Sequence, residues 1–413
     1  MNVSALYMWE ENELSNVEFI PEPSDYRIVS AADSATVGHQ EGWRGEVLGW
    51  APTPVPVISR PRRNKQRVAN VGILLILILV FWAIWRSQLL FLELPPPKSE
   101  WAFEDSGVRD LQSLGYSGEG VRVCMVDTGI DNTHPDLENT KLEFKDFISG
   151  SIEPKDKGNL AHGTMMAGIL VSDGYLKGVS PDIVLGMAAA LGDDGEGGNS
   201  GDQNVVSSAI EWCWKTFDAD IISLSLGGES DPNATSEGPT TNAVRLALAN
   251  GVYVIAAAGN DGGSDDDGRV ATPSNVNEVI SVAALDEDGD VWEGSSLGSP
   301  LDGNGEQRLN PHMKPEISAP GVSIVSTAFD GEYYSSTGTS DATVFVSGIL
   351  ALILEAQPEL KNPDSQCITD VKTALMNSAS PLDESKSHDS RWGYGAINGE
   401  SWLNEIRSSG ACL

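Results

Sequence analysis

Four residues stand where folded chains place reactive groups. Asp127 closes an apolar run as VDTGID, His162 opens HGTMMAG, Asn260 ends AAAGN and Ser340 lies in GTSDATVFVSG. A carboxylate, an imidazole, a side-chain amide and a hydroxyl form a set suited to nucleophilic catalysis. Around Ser340, a Gly-rich turn enters an apolar helix running to about Ala356. A serine at a helix N-terminus has its hydroxyl near unpaired backbone N–H groups, which suit an oxyanion. Taken singly, each residue has a plainer reading. An aspartate at a strand end caps a turn, and a histidine in a helix lies on the surface or in a satisfied core.

The elements that must position these residues are legible as alternation. The runs 121–127, 183–190, 220–226, 252–258 and 279–285 are short and nearly continuously apolar, which predicts strands of a parallel sheet covered on both faces. Helical stretches are expected at 162–172, 203–217 and 239–250. Alternation of this kind predicts an α/β fold with a doubly wound, mostly parallel sheet and helices on both faces. In such folds active residues gather at the carboxyl ends of the strands.

The order Asp…His…Ser, in DTGID, HGTMMAG and GTSDA, resembles the subtilisin-like serine proteases, the subtilases. GEGVRVCMVDTGIDNTHPDL, SLSLGG, AAAGN, KPEISAPG and WGYGAIN resemble further landmarks of that family, in family order, across about residues 105–400. The resemblance implies a serine endopeptidase with Ser340 as nucleophile, His162 as general base and Asp127 as the group that orients the imidazole. It implies Asn260 as the side-chain donor of an oxyanion hole, joined by the Ser340 backbone N–H. Ser225, Leu226 and Gly227 resemble the strand that pairs with extended substrate, and Ala257, Ala258 and Gly259 the wall of the pocket before the scissile bond. Small residues there imply a roomy pocket for apolar or aromatic side chains. Thr272-Pro273 resembles a family position with a cis peptide.

The chain also departs from the family pattern. The nucleophile motif usually reads GTSMATP followed by His, and Asp341, Val344 and Phe345 break it here. A carboxylate beside the nucleophile opposes a developing oxyanion if it points inward. The expectation is instead a structural partner for Asp341 or a shifted pH dependence. A folding propeptide of domain size is not expected either, because only a short stretch separates Trp85 from Trp101.

The chemistry itself implies no cofactor. Three acidic, Gly-bearing loops, 192–202, 261–268 and 286–290, have the composition of structural calcium sites, with no assignable ligands. Five histidines and no HExxH pattern disfavour catalytic zinc. Of the four cysteines, Cys124 and Cys213 are expected as buried thiols, whereas Cys367 and Cys412 could pair.

Charge and hydropathy organise the rest. The 413 residues carry 26 Lys+Arg against 60 Asp+Glu, a formal net charge of −34, which excludes nucleic acid as the main partner. Residues 1–67 hold 9 acids and 7 bases, whereas residues 86–413 hold 51 acids and 19 bases, a formal −32. Residues 68–85 hold no charge. At about 1.5 Å per residue they match the thickness of a hydrocarbon core, and predict one transmembrane helix in a lipid bilayer. Arg60, Arg62, Arg63, Lys65 and Arg67 precede it, so the positive-inside rule predicts a cytoplasmic N-terminus and an extracytoplasmic C-terminal domain. The expected organisation is a largely disordered tail (1–67), a span (68–85), a Pro-rich spacer (86–100) and a peptidase domain (101–413).

The function expected is therefore a membrane-anchored extracytoplasmic serine endopeptidase acting on protein or peptide substrates. The alternative is a catalytically silent domain that binds peptides or scaffolds a membrane complex. A third reading is an acidic convertase that cuts after basic residues.

Overall fold

The computed structural model describes residues 70–75, 78 and 97–413, apart from 229–236, 265, 304, 384 and 413. The expected tail (1–67) and most of the expected span (68–85) lie outside the described residues; residues 70–75 and 78 are helical. The chain divides into two units, Met1–Glu93 and Leu94–Leu413. The second unit contains every expected site residue.

Within it, the expected apolar runs become strands, and further short strands join them. They are β1 (Arg122–Asp127), β2 (Lys141–Asp146), β3 (Val184–Ala189), β4 (Gly192–Asp193), β5 (Asn199–Ser200), β6 (Ile221–Leu224), β7 (Tyr253–Ala257), β8 (Ile280–Leu285), β9 (Ile317–Pro320), β10 (Ile324–Thr327) and β11 (Tyr333–Ser336). The helices of eight residues or more are α1 (His162–Val171), α2 (Gln203–Lys215), α3 (Pro239–Ala249), α4 (Thr339–Ala356), α5 (Ser365–Ser378) and α6 (Gly399–Ser409).

Seven strands form one sheet in the order β2-β3-β1-β6-β7-β8-β9, and every pairing in it is parallel. Consecutive residues of β6, β7, β8 and β9 are all buried, so both faces of the sheet are covered. Helices α2 and α3 pack on one another, α2 also on β1 and β3, and α3 on β7. Helix α4 packs on β1 and on β6 to β9. Its residues from Thr339 to Leu354 are all buried, so its long apolar run serves the core.

Two strands of the seven-stranded sheet fall outside the apolar pattern. β2 (KLEFKD) alternates exposed charged residues with half-buried Leu142 and Phe144, as suits a charged sheet edge. β9 is too short and too broken by Pro320 to read as a strand alone.

The cysteine expectation needs one correction. Cys124 and Cys213 are not thiols but a disulfide, with Cα atoms 5.7 Å apart. The reason is the fold: α2 lies on β1, and both side chains point into the same fully buried layer. Cys367 and Cys412 form the second disulfide. Thr272-Pro273 is cis, as expected.

Candidate active site

The strand order reverses at β1, whose neighbours are β3 and β6. Side chains leaving the carboxyl end of such a strand enter the crevice of a doubly wound sheet. Asp127 is the last residue of β1 and is fully buried.

His162 faces it from the first turn of α1. Its Nδ1 lies 2.7 Å from Asp127 Oδ1, so this nitrogen carries the proton toward the carboxylate and, in the neutral ring, Nε2 is the acceptor. Nε2 has no hydrogen-bond partner among the described residues, and the side chain keeps 21% of its exposure. Backbone geometry fixes this approach. Leu160 and Ala161 both adopt left-handed conformations, with φ of 53° and 57°, and turn the chain into α1. Gly129 and Gly163 then meet without side chains. A Cβ at Gly163 would lie 2.2 Å from the Gly129 carbonyl oxygen, and one at Gly129 would lie 2.0 Å from the Lys155 oxygen.

Asp156 sits behind this pair, buried, and makes four hydrogen bonds. Its Oδ1 accepts from Thr128 Oγ1 (2.7 Å) and the Gly158 N–H (2.8 Å), and its Oδ2 from the Thr164 N–H and Oγ1 (both 2.7 Å). Thr128 Oγ1 accepts in turn from the Gly163 N–H at 2.8 Å. One carboxylate thus ties the residue after Asp127 to the turn that begins at His162.

Burial alone would pull the His162 pKa down. The charge and hydrogen bond of Asp127, with the charges of Asp341 and Asp156, outweigh it and raise it to about 9.

Ser340 is the second residue of α4 and is 8% exposed. Its Oγ donates to the Ser225 carbonyl at 3.3 Å rather than to His162. Ser225 Oγ donates back to the Ser340 carbonyl at 3.1 Å. Catalytic hydrogen bonds are often loose without substrate, and rotation about χ1 redirects a serine hydroxyl.

Gly338, the residue before α4, offers no capping side chain, whereas Asp202, Asp364 and Asn398 cap α2, α5 and α6. The Ser340 N–H is among the amides that α4 leaves free. Asn260 stands beside it. Its Oδ1 accepts from the Thr339 N–H (3.0 Å) and the Thr339 Oγ1 (2.8 Å). A backbone N–H can only donate, so Oδ1 must face Thr339 and Nδ2 is turned away, without a partner among the described residues.

The expected substrate-binding residues lie along the same edge. Ser225, Leu226 and Gly227 directly follow β6, and Gly228 then bridges to Thr272 through two backbone hydrogen bonds of 2.9 and 3.0 Å. The backbone groups of Leu226 and Gly227 make no hydrogen bond among the described residues, which leaves an edge for strand addition. Ala257, Ala258 and Gly259 leave β7 toward Thr339, whose Oγ1 lies 3.3 Å from both Gly259 N and Gly259 O.

Asp341 is buried and accepts a hydrogen bond from Ser336 Oγ, the structural partner expected for it. The acidic loops give a different picture. Asp194 Oδ1 accepts from Glu196 N and Gly198 N, and Asp286 Oδ1 from Asp288 N and Asp290 N. Asp266 accepts from Gly268 N and Leu297 N. These carboxylates are occupied by backbone amides, and among the described residues no three of His, Cys, Asp and Glu converge to hold a metal.

Sequence reasoning missed Asp156, Thr128, Thr164, Thr339 and Ser336. Each acts through a neighbour, and a single polar residue in a loop or first turn carries no signal of its own.

Comparison with known proteins gives a consistent result. The sequence model of the Subtilase family matches residues 118–395. Subtilisin DY of Bacillus licheniformis is 34% identical over 295 residues, covering 70% of this chain and 93% of that protein. Serine protease AprX of Bacillus subtilis is 33% identical over 321 residues, covering 71% and 68%. The solved structure of the prenylagaramide maturation protease PagA superposes with a TM-score of 0.58 at 27% identity, covering 73% of this chain and 98% of that one.

Proposed function

The chain belongs to the subtilase family and is a serine endopeptidase, and from that premise we propose that Asp127, His162 and Ser340 carry out its chemistry at the outer face of a membrane. The observation that carries the reading is the 2.7 Å contact of His162 Nδ1 with Asp127, which leaves Nε2 free to act as the base.

Ser340 Oγ swings from the Ser225 carbonyl, gives its proton to His162 Nε2 and bonds to the substrate carbonyl carbon. The oxyanion so formed accepts from Asn260 Nδ2 and the Ser340 N–H. Asp127 stabilises the imidazolium. The C–N bond breaks, the amine leaves with the proton from His162, and water repeats the sequence to free the acid. Substrate backbone pairs with Ser225–Leu226–Gly227, and the residue before the scissile bond lies against Ala257, Ala258 and Gly259.

The uncharged stretch 68–85 and its basic N-terminal flank support a single-pass anchor with the peptidase domain outside the cytoplasm. The two disulfides of the peptidase unit support the same side, because disulfides persist in oxidising compartments.

A fluorophosphonate probe tests the chemistry. Labelling of the full chain should vanish in Ser340→Ala, and a folded wild type that never labels would overturn the reading. Protease added outside intact cells tests the topology. It should degrade a C-terminal tag and spare an N-terminal one; the reverse pattern would remove the anchor model.

A further inference from the structure

Asp341 is a buried carboxyl next to the nucleophile, and the triad chemistry does not use it. Its surroundings give it a place. The β10–β11 hairpin, paired from Ile324↔Ser336 to Thr327↔Tyr333, runs past both helices of the site. On one side, Ser326 Oγ donates to the Met165 carbonyl and Thr327 Oγ1 to the Thr164 carbonyl at 2.8 Å. Those carbonyls lie in the turn of α1 that begins at His162. The fit is close, since a Cβ at Gly168 would fall 2.3 Å from Thr327 Oγ1 and 2.4 Å from Ser326 Oγ. On the other side, Ser336 Oγ donates to Asp341 Oδ1 in the first turn of α4. The hairpin is therefore a brace, fastened to the base helix by two hydroxyls and to the nucleophile helix by one carboxylate.

We propose that Asp341 is a positioning residue of the peptidase reaction: it pins the nucleophile helix to this brace and places a second negative charge behind the His162 imidazolium. The inference rests on His162 being the base. The charged groups facing His162 are Asp127 from β1, Asp156 from the loop before α1, and Asp341 from α4. Those facing Asp341 are His162 and, as a neutral donor, Ser336. Burial pushes the Asp341 carboxyl up to about 7, against the Ser336 hydrogen bond and the His162 charge. The pair thus reaches its ionised form only as pH approaches and passes neutrality. Above that, the carboxylate holds the proton on His162 more tightly. It also steadies the imidazolium that forms when Ser340 loses its proton.

The experiment compares the wild type with D341N in the full chain, by the pH dependence of kcat and kcat/KM. D341N should move the midpoint of the alkaline rise down by about one pH unit, the size of one nearby charge in a partly polar medium. It should also lower the plateau kcat several-fold and leave KM nearly unchanged. Ser336→Ala keeps the carboxyl but removes its donor, and should fall between the two. Proton NMR of the His162 ring in Ser340→Ala, with and without D341N, gives the same midpoints without turnover. A His162 midpoint that ignores D341N and Ser336→Ala overturns the positioning role. A Ser340 that never labels overturns the peptidase chemistry instead, so the two failures are distinguishable.

Discussion

Asn260 is held by one face, and in the proposed mechanism its other face meets the oxyanion. Thr339 fixes Oδ1 through two donors, so Nδ2 is aimed before any substrate arrives. Preorganised donors act where charge develops, so Asn260→Ala should lower kcat by about 10²–10³-fold while KM changes little. Steady-state kinetics on a peptide substrate checks this; a purely KM effect would contradict it. His162 sets the pH behaviour. Its pKa is raised to about 9, so at neutral pH it is mostly protonated and a poor base. Activity should therefore climb through pH 7 to 9. Stability should run the other way. The contribution of protonated His162 is complete below 6.5 and lost as pH rises through about 9. Parallel pH profiles of kcat/KM and of the thermal midpoint check both signs, and His162→Ala should flatten this part of the stability curve.

At the scale of elements, the site depends on backbones that approach closely. Gly163 lets α1 begin against the exit of β1, because any Cβ there meets the Gly129 carbonyl oxygen. Gly163→Ala should shift His162 by a fraction of an ångström or more, and cost about 10²-fold in kcat. Kinetics and thermal melting together check it: full activity would show that the approach can relax. Most of these elements are legible in the sequence, for physical reasons. The core strands are apolar on both faces, so β1, β3, β6, β7 and β8 stand out as runs. β2 hides because an edge strand keeps one face charged. The site is legible where a residue ends a strand or begins a helix, as Asp127, Asn260 and His162 do. It is not legible where a residue works through space. Asp156 meets Thr128 and Thr164 only once the loop folds back, and Ser336 meets Asp341 only across a turn. The Cys124–Cys213 bond is hidden likewise, since sequence cannot say which helix lies on which strand.

For the molecule as a whole, one buried ionic cluster ties the far sheet edge to the C-terminal helices. Glu316 meets Lys372 of α5 at 2.6 Å and Lys314 at 2.8 Å, and its Oε2 accepts from the Ser281 N–H at 2.8 Å. The Val279 carbonyl accepts from both lysines, at 2.6 and 3.0 Å. Burial lowers both lysines, and Glu316 opposes that. Glu316→Gln would strand two buried ammonium groups and should cost about 3–5 kcal/mol. Urea denaturation checks the size, and kcat of the folded fraction should stay near wild type. The order of the chain has another consequence. Asp127 ends the first strand of the sheet, whereas Ser340 arrives on α4, which docks on β1 and on β6 to β9. A chain still being made therefore holds Asp127 and His162 long before it holds Ser340. On the proposed triad, a chain that ends before α4 therefore lacks its nucleophile, and hydrolytic capacity arises only once α4 docks on the sheet.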